Sequence, residues 1–185
     1  MSIFYPCRNE KEVFLSNFKI VVRRAISEDG PAWLALIDAL ADYEKLEPPA
    51  AAARERLMND AFGPKPRFDV FLAQISDKIV GYAITFETYS SFLALPTLFL
   101  EDIFILSEHR KRGTGAELFR HCIGEAYRRG CGRMEWMVLD WNQLALEFYD
   151  RMTARRLKEW LPFRMDREQM KTILESQQKP MGLGK

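Results

Sequence analysis

Residues 98–130 read LFLEDIFILSEHRKRGTGAELFRHCIGEAYRRG, an apolar run, a basic glycine loop and an amphipathic segment in immediate succession. The run 98–106 is apolar at both alternating positions, the pattern of a central strand covered on both faces. A short basic loop, 107–114, leads into a helix that runs to about Arg129. Leu118, Phe119, Cys122, Ile123 and Ala126 form its apolar stripe, and Gly130 is its natural stop. Glycines at a helix start let the backbone approach a ligand closely. The free N–H groups and the positive end of the helix dipole then favour a phosphate. Arg110, Lys111 and Arg112 add attraction for an anion. A tight turn that simply needs glycine explains the same residues, so the loop alone leaves both readings open. The P-loop pattern GxxxxGK[ST] is absent, and Leu118 stands where a dinucleotide fingerprint needs a small residue.

Working outward, residues 18–24 are β-branched and read as a strand. Ser27 is placed to cap a helix with Pro31 in its first turn and Trp33, Leu36, Ile37, Leu40 and Tyr43 on one face; Pro48-Pro49 ends it. A second helical pattern spans 50–62 and stops at Gly63-Pro64. Residues 68–75 and 78–88 read as a hairpin turning near Ser76-Asp77, and 90–97, interrupted by Pro96, reads as a loop. Beyond the glycine loop, 133–139 is a strand, and Asp140 or Asn142 caps a helix over 143–152. Residues 160–165 read as a last strand, with Pro162 at an edge or bulge, and Asp166 starts a short helix. The order implies one α/β (α+β) domain with a mixed sheet over 18–176, an N-terminal extension over 1–17 and a frayed tail over 177–185.

Composition narrows the function. The chain has 185 residues and 21.6 kDa, about one domain's worth. Its 27 Lys+Arg and 26 Asp+Glu give a net charge of +1, which argues against a dedicated nucleic-acid binder. No apolar run reaches the roughly 18 residues of a membrane span, and the N-terminus is charged too early for a signal peptide. Cys7, Cys122 and Cys131 form no CxxC pair, which argues against a disulfide scaffold or zinc cage and fits a reducing cytoplasm.

Several single residues carry more than one reading. Glu101 and Asp102 interrupt the most apolar strand; as strand neighbours they face opposite sides of a sheet, and each needs a partner or a task. Tyr149 shares a helix face with Ala145, Phe148 and Met152, which favours a core aromatic, and Asn142 reads as a cap. His109 and His121 lack metal-ligand spacing and read as surface residues. Cys122 packs inside, and Asp42, Glu44 and Glu47 read as a solvated helix end.

Taken together, the strand, the R-x-x-G-x-G loop, its helix and a Tyr two turns past an Asn resemble the GNAT superfamily of N-acetyltransferases. Within it the chain resembles the spermidine/spermine (diamine) N-acetyltransferases, including their thialysine-acetylating branch. The likeness covers about residues 20 to 168. Its carriers are ADYEKLE (41–47), DAFGPKP (60–66), the segment 100–115 and VLDWNQLALEFY (138–149). The resemblance implies a GNAT-like domain with a mixed, mostly antiparallel sheet, helices on both faces, and a splay between 98–106 and 133–139 that takes acetyl-coenzyme A. By the same resemblance Ile103, Phe104 and Ile105 offer backbone to the pantetheine arm. Lys111, Arg112, Gly113, Thr114, Gly115 and Ala116 hold the pyrophosphate, and Asn142, Gln143, Leu144 and Ala145 border the coenzyme. Tyr149 lies at the thioester sulfur and Glu101 faces the amine, these two being the catalytic pair. Tyr43, Glu44, Glu135, Trp136 and Met137 line the acceptor site with Glu101. The implied partners are a small-molecule amine and a second copy of the chain, with no metal, nucleic acid or membrane.

The sequence departs from that pattern at two motifs, and the extension 1–17 has no counterpart in it. The family's acidic, Trp-bearing loop reads Tyr89-Ser90-Ser91-Phe92 here, and the Gly after the Tyr helix is Thr153. The first removes a carboxylate suited to a long polyamine. Competing readings are a protein or peptide lysine acetyltransferase and a non-catalytic coenzyme-binding module; the retained Glu101 and Tyr149 argue against the second.

Overall fold

A computed structural model describes residues 19–177. The extension 1–17 and all but the first residue of the tail 177–185 lie outside them. The chain divides into two compact units, Met1–Met137 and Val138–Lys185.

The first unit is built on a sheet of β1 (Ile20–Arg24), β2 (Asp69–Ile75), β3 (Lys78–Ser90), β4 (Leu95–Ile105) and β5 (Arg133–Trp136), in that spatial order. Neighbours are antiparallel except β4 and β5, which are parallel. Three helices accompany it: α1 (Gly30–Glu44), α2 (Ala51–Phe62) and α3 (Thr114–Arg128). Strand alternation assigns them to faces. Trp33 and Leu36 of α1 and Ala61 of α2 share a buried core with Val70, Leu72, Tyr82, Ile84 and Phe104. The opposite face carries Phe71, whose ring meets His121 of α3 edge-on at 4.7 Å. The sheet is thus covered on both sides, as its double apolar pattern requires. Arg129 closes the α3 end onto the sheet, reaching Asp69 at 2.6 Å, Glu125 at 3.0 Å and Glu87 at 3.4 Å. Arg128 and Arg129 hold the Glu125 carboxyl down to about 2.

Glycine is obligatory at Gly81. A Cβ there would lie 2.3 Å from Ile105 Cδ1 and 2.5 Å from the Phe104 carbonyl oxygen, so β3 and β4 could not keep their spacing.

Several boundaries differ from the sequence reading. Ser27 does not cap α1: residues Ser27–Asp29 form a 3-10 turn, and the Asp29 carboxylate accepts from Ile26 N at 2.9 Å and pairs with Arg23 at 2.6 Å. α1 ends before the proline pair, at Lys45 in the left-handed region (φ 58). The expected loop 90–97 is half strand: only 91–94 turn, between Ser90 at the end of β3 and Leu95 at the start of β4. Pro96 lies near the start of β4, opposite Tyr89, where a missing N–H is tolerated, and its carbonyl accepts from Gly132 N at 2.9 Å. β5 stops at Trp136 rather than 139. Ile123 is exposed, while Leu118, Phe119, Cys122 and Ala126 are buried.

The second unit holds α4 (Gln143–Arg151) and α5 (Arg167–Gln177). Asn142, not Asp140, caps α4, its Oδ1 accepting from Ala145 N at 3.2 Å. Asp166 and Gln169 bond reciprocally at the start of α5, at 2.8 and 2.9 Å. Residues 160–165 form no strand: Pro162 removes a ladder donor, and Trp160, Leu161 and Phe163 are exposed without alternation.

Candidate active site

The β4–β5 pairing covers four rows, from Thr97↔Arg133 to Leu100↔Trp136, and stops. From Glu101 to Ile105 the β4 backbone has no strand neighbour on that side among the described residues. This is the opening expected between the two strands, and it leaves Ile103, Phe104 and Ile105 without a strand neighbour on that side, the Ile105 carbonyl accepting from Arg110 instead.

The loop that follows departs sharply from the strand. Lys111 (φ 60) and Gly113 (φ 85) are both left-handed with Arg112 between them, and left-handed residues in such a turn gather backbone N–H groups into one concavity. The first α3 bond, Glu117 N to Gly113 O at 3.0 Å, leaves the N–H groups of Thr114, Gly115 and Ala116 with no intrahelical acceptor. A Cβ on Gly113 would meet nothing within 4 Å, and one on Gly115 only Ile105 Cγ1 at 3.7 Å. Space for an anion lies over both glycines, so the loop fits a pyrophosphate. Lys111 and Arg112 are exposed. Thr114 is buried, with its hydroxyl donating to the His109 carbonyl at 3.3 Å, so only its backbone faces this role. His109 is not a surface residue: both ring nitrogens are closed off without a hydrogen-bond partner among the described residues, with Glu108 at 4.0 Å.

The face of the sheet under α1 holds the charged part of the site. Ile84 pairs with Asp102 and Thr85 with Leu100, so Glu101 is an extra residue, a β-bulge. The bulge breaks the strict alternation that sets Glu101 and Asp102 on opposite sides. Glu101 is exposed, while Asp102 is largely shielded and accepts a hydrogen bond from the Tyr82 hydroxyl at 3.2 Å. Burial is the main reason the Asp102 carboxyl is pushed up to about 6; Tyr82 opposes this, and the charges of Glu101 and Glu44 add to it. Burial also raises the Glu44 carboxyl, so that residue is more than a solvated helix end. Tyr43, next to it, packs on Phe104 with ring centroids 6.4 Å apart.

The other expected acceptor residues are placed differently. Trp136 pairs with Leu100 on the α3 face, and its ring meets Phe119 edge-on at 5.2 Å, across the sheet from Tyr43. Glu135 pairs with Arg133 at 3.1 Å. Met137 is exposed at the end of the first unit. In the second unit, Gln143 and Leu144 are exposed and Ala145 half-buried. Tyr149 is buried, with the Phe148 ring edge-on at 5.2 Å.

One group was not singled out from the sequence, and another, expected to attract an anion, is turned elsewhere. Tyr82 looks like an ordinary strand aromatic, and only register shows that it reaches Asp102. Arg110 opens the R-x-x-G-x-G motif, but its side chain turns away from the loop. Its Nε donates to the Ile105 carbonyl at 2.8 Å, and its guanidinium lies 4.6 Å from the Tyr43 ring centroid and 5.3 Å from that of Phe104.

The Asp102 environment has a measurable consequence. Its carboxyl is raised from 3.8 to about 6, so between those values the folded chain keeps a proton that the unfolded chain releases. Stability from this group therefore falls as pH rises through that window, by on the order of 1–3 kcal/mol. Asp102→Asn keeps the Tyr82 hydrogen bond and removes the titration. Urea denaturation should show the variant gaining on the wild type between pH 4 and 7; a constant difference across that range would return Asp102 to an ordinary carboxylate.

Known proteins resemble this chain. Residues 33–153 match the model of the acetyltransferase (GNAT) family. Thialysine N-epsilon-acetyltransferase of Sus scrofa is 32% identical over 165 residues, 83% of this chain and 96% of that protein. L-ornithine N5-acetyltransferase NATA1 of Arabidopsis thaliana is 37% identical over 101 residues, 54% of this chain and 44% of that protein. The structure of aminoglycoside N-acetyltransferase AAC(6')-Iy in complex with CoA is alike in fold, with a TM-score of 0.68 at 18% identity, over 82% of this chain and 97% of that one. Among the described residues no helix is long and apolar enough to cross a membrane, and no group of three or more His, Cys, Asp or Glu could hold a metal. The match over most of the chain, on the same strand, loop and helix that carry the geometry, leads to one conclusion: this chain belongs to the GNAT acetyltransferase family and is an N-acetyltransferase.

Proposed function

We propose that the protein transfers acetyl from acetyl-coenzyme A directly to the primary amine of a small cationic acceptor, a short diamine, a polyamine or a thialysine-like amino acid. The observation that carries this is the grouping of Glu44, Glu101 and Asp102 at the bulge, beside Tyr43 and next to the open edge of β4. Three carboxylates of one sign at one place suit a cation, and an aromatic face suits an alkylammonium. Relatives named for thialysine and for ornithine support an amine of that size.

The coenzyme supplies an activated acetyl group; the chain supplies binding and proton handling. Lys111 to Ala116 are the proposed pyrophosphate cradle, and the open β4 edge over 103–105 serves the pantetheine arm. Asn142 to Ala145 are assigned to the coenzyme by family resemblance. An alkylammonium with a pKa near 10.4 is about one part in a thousand free amine at pH 7.4, so a base is useful. Glu101, exposed at the bulge, takes that role through a water. Its charge also raises the amine's pKa, so attraction and deprotonation oppose each other. Tyr149 is proposed to hold the proton that the leaving sulfur requires. Family resemblance also underlies the proposal of a homodimer, for which a monomeric mass in solution with full activity is the contrary result, and cysteine usage that of a cytoplasmic location.

The Ser90-Ser91-Phe92 turn has no carboxylate for the distal nitrogen of a long polyamine, and Phe92 is fully exposed. Release of coenzyme A with a panel of amines should give a higher kcat/KM for thialysine and short diamines than for spermine. A strong preference for spermine, or activity confined to protein lysines, would overturn the acceptor assignment.

Tyr149→Phe keeps the packing and removes the proton. Its kcat should fall by about 10²–10⁴ with coenzyme affinity retained. Full activity in the variant would leave Tyr149 a core residue.

A further inference from the structure

Arg110 occupies a position that neither the glycine loop nor the carboxylate cluster accounts for. It follows the 3-10 turn Ser107–His109 and immediately precedes the left-handed Lys111 that begins the cradle. Were it part of the anion site, its guanidinium would point over the loop. Instead the side chain folds back across the end of β4. Its Nε is held by the Ile105 carbonyl, and its cationic plane is stacked at 4.6 Å on Tyr43, the penultimate residue of α1, and at 5.3 Å on Phe104. Tyr82 also meets Phe104, tilted with ring centroids 6.4 Å apart, and donates to Asp102.

One side chain thus touches three parts of the molecule. Its backbone is continuous with the coenzyme loop, its Nε is bonded to the strand whose open edge lies beside that loop, and its charge rests on the ring next to Glu44. Each contact depends on a property of arginine. The fixed fork lets Nε donate in one direction while the delocalised plane stacks in another, which a lysine ammonium cannot do. The side chain is partly buried, so the cation–π attraction is stronger than at an open surface.

We infer that Arg110 is a positioning residue that couples the coenzyme cradle to the acceptor wall. This rests on the proposed function above, in which Tyr43 and Glu44 belong to the amine site. When the loop is ordered by a bound coenzyme, the Arg110 backbone is fixed, and through it the Tyr43 ring. The amine then meets a wall that is already arranged, so less order has to be created on binding. Coupling of this kind is reciprocal: the amine tightens coenzyme binding by the same factor.

The test is calorimetric titration of the full chain with 1,3-diaminopropane, without and with saturating coenzyme A, and the reverse titration. The wild type should bind the diamine about fivefold more tightly or better when coenzyme A is present, the lower end of usual coupling. Arg110→Met keeps the aliphatic stem and removes the fork and the charge. It should bring the ratio close to one while coenzyme A affinity alone stays within a few-fold. Should that variant fail to fold, Tyr43→Leu removes the stack from the helix side and keeps the Arg110–Ile105 bond; its amine affinity will differ, but the ratio is the quantity read. A ratio of one in the wild type, or an undiminished ratio in the variant, overturns the inference and leaves the proposed function intact. A wild type that binds coenzyme A but no amine overturns the acceptor reading and the coupling together.

Discussion

Eleven residues of β4 face ten of β3, and the surplus is placed at Glu101. That one bulge sets the chemistry of the region. Below it, β4 is an ordinary inner strand, paired on both sides and apolar. Above it, the strand turns its edge away from β5 and carries two consecutive acids that regular alternation would have separated. A bulge costs a ladder position and adds local twist. Here it lets one carboxylate stay near solvent while the next is drawn under α1 to a tyrosine hydroxyl. The β4–β5 pairing ends at Leu100, the residue before the bulge, so the open edge and the acid pair begin at the same place.

The electrostatics of the α1 face favour activity over stability. Asp102 is shielded, accepts one hydrogen bond from Tyr82, and lies within the field of two further acids. Such a group is held against its own preference for water, and shifts of this kind concentrate at working sites. The stabilising charge pairs lie elsewhere: Arg23 with Asp29 at the first turn, and Arg129 with Asp69 and Glu125 on the opposite face.

Much of this was legible in the sequence, because it depends on local signals. The double-sided apolar run, the glycine pair and the amphipathic stripe of α3 identified the central strand, the loop and the helix without reference to anything distant. What was not legible depends on register. Strict alternation put Glu101 and Asp102 on opposite sides, and no residue in LEDIF announces that a bulge will change that. Pro96 suggested a loop because its position near a strand start is visible only once β3 and β5 are aligned beside it. His109 and His121 look like surface residues by composition, yet one ring is closed off and the other packs on Phe71. The direction of the Arg110 side chain is likewise a tertiary fact, since the motif fixes only where its backbone starts.

The thiol inside α3 has a use as a reporter. Cys122 is fully buried, and burial pushes its thiol up to about 12, so at neutral pH it is neither ionised nor reachable. Reagents that colour on meeting free coenzyme thiol will pass it by in the folded chain. Its alkylation has to wait until α3 lifts from the sheet, and the labelling rate then measures the frequency of that opening rather than the reactivity of sulfur. A single native side chain thereby serves as a clock for the integrity of the helix that starts at the cradle.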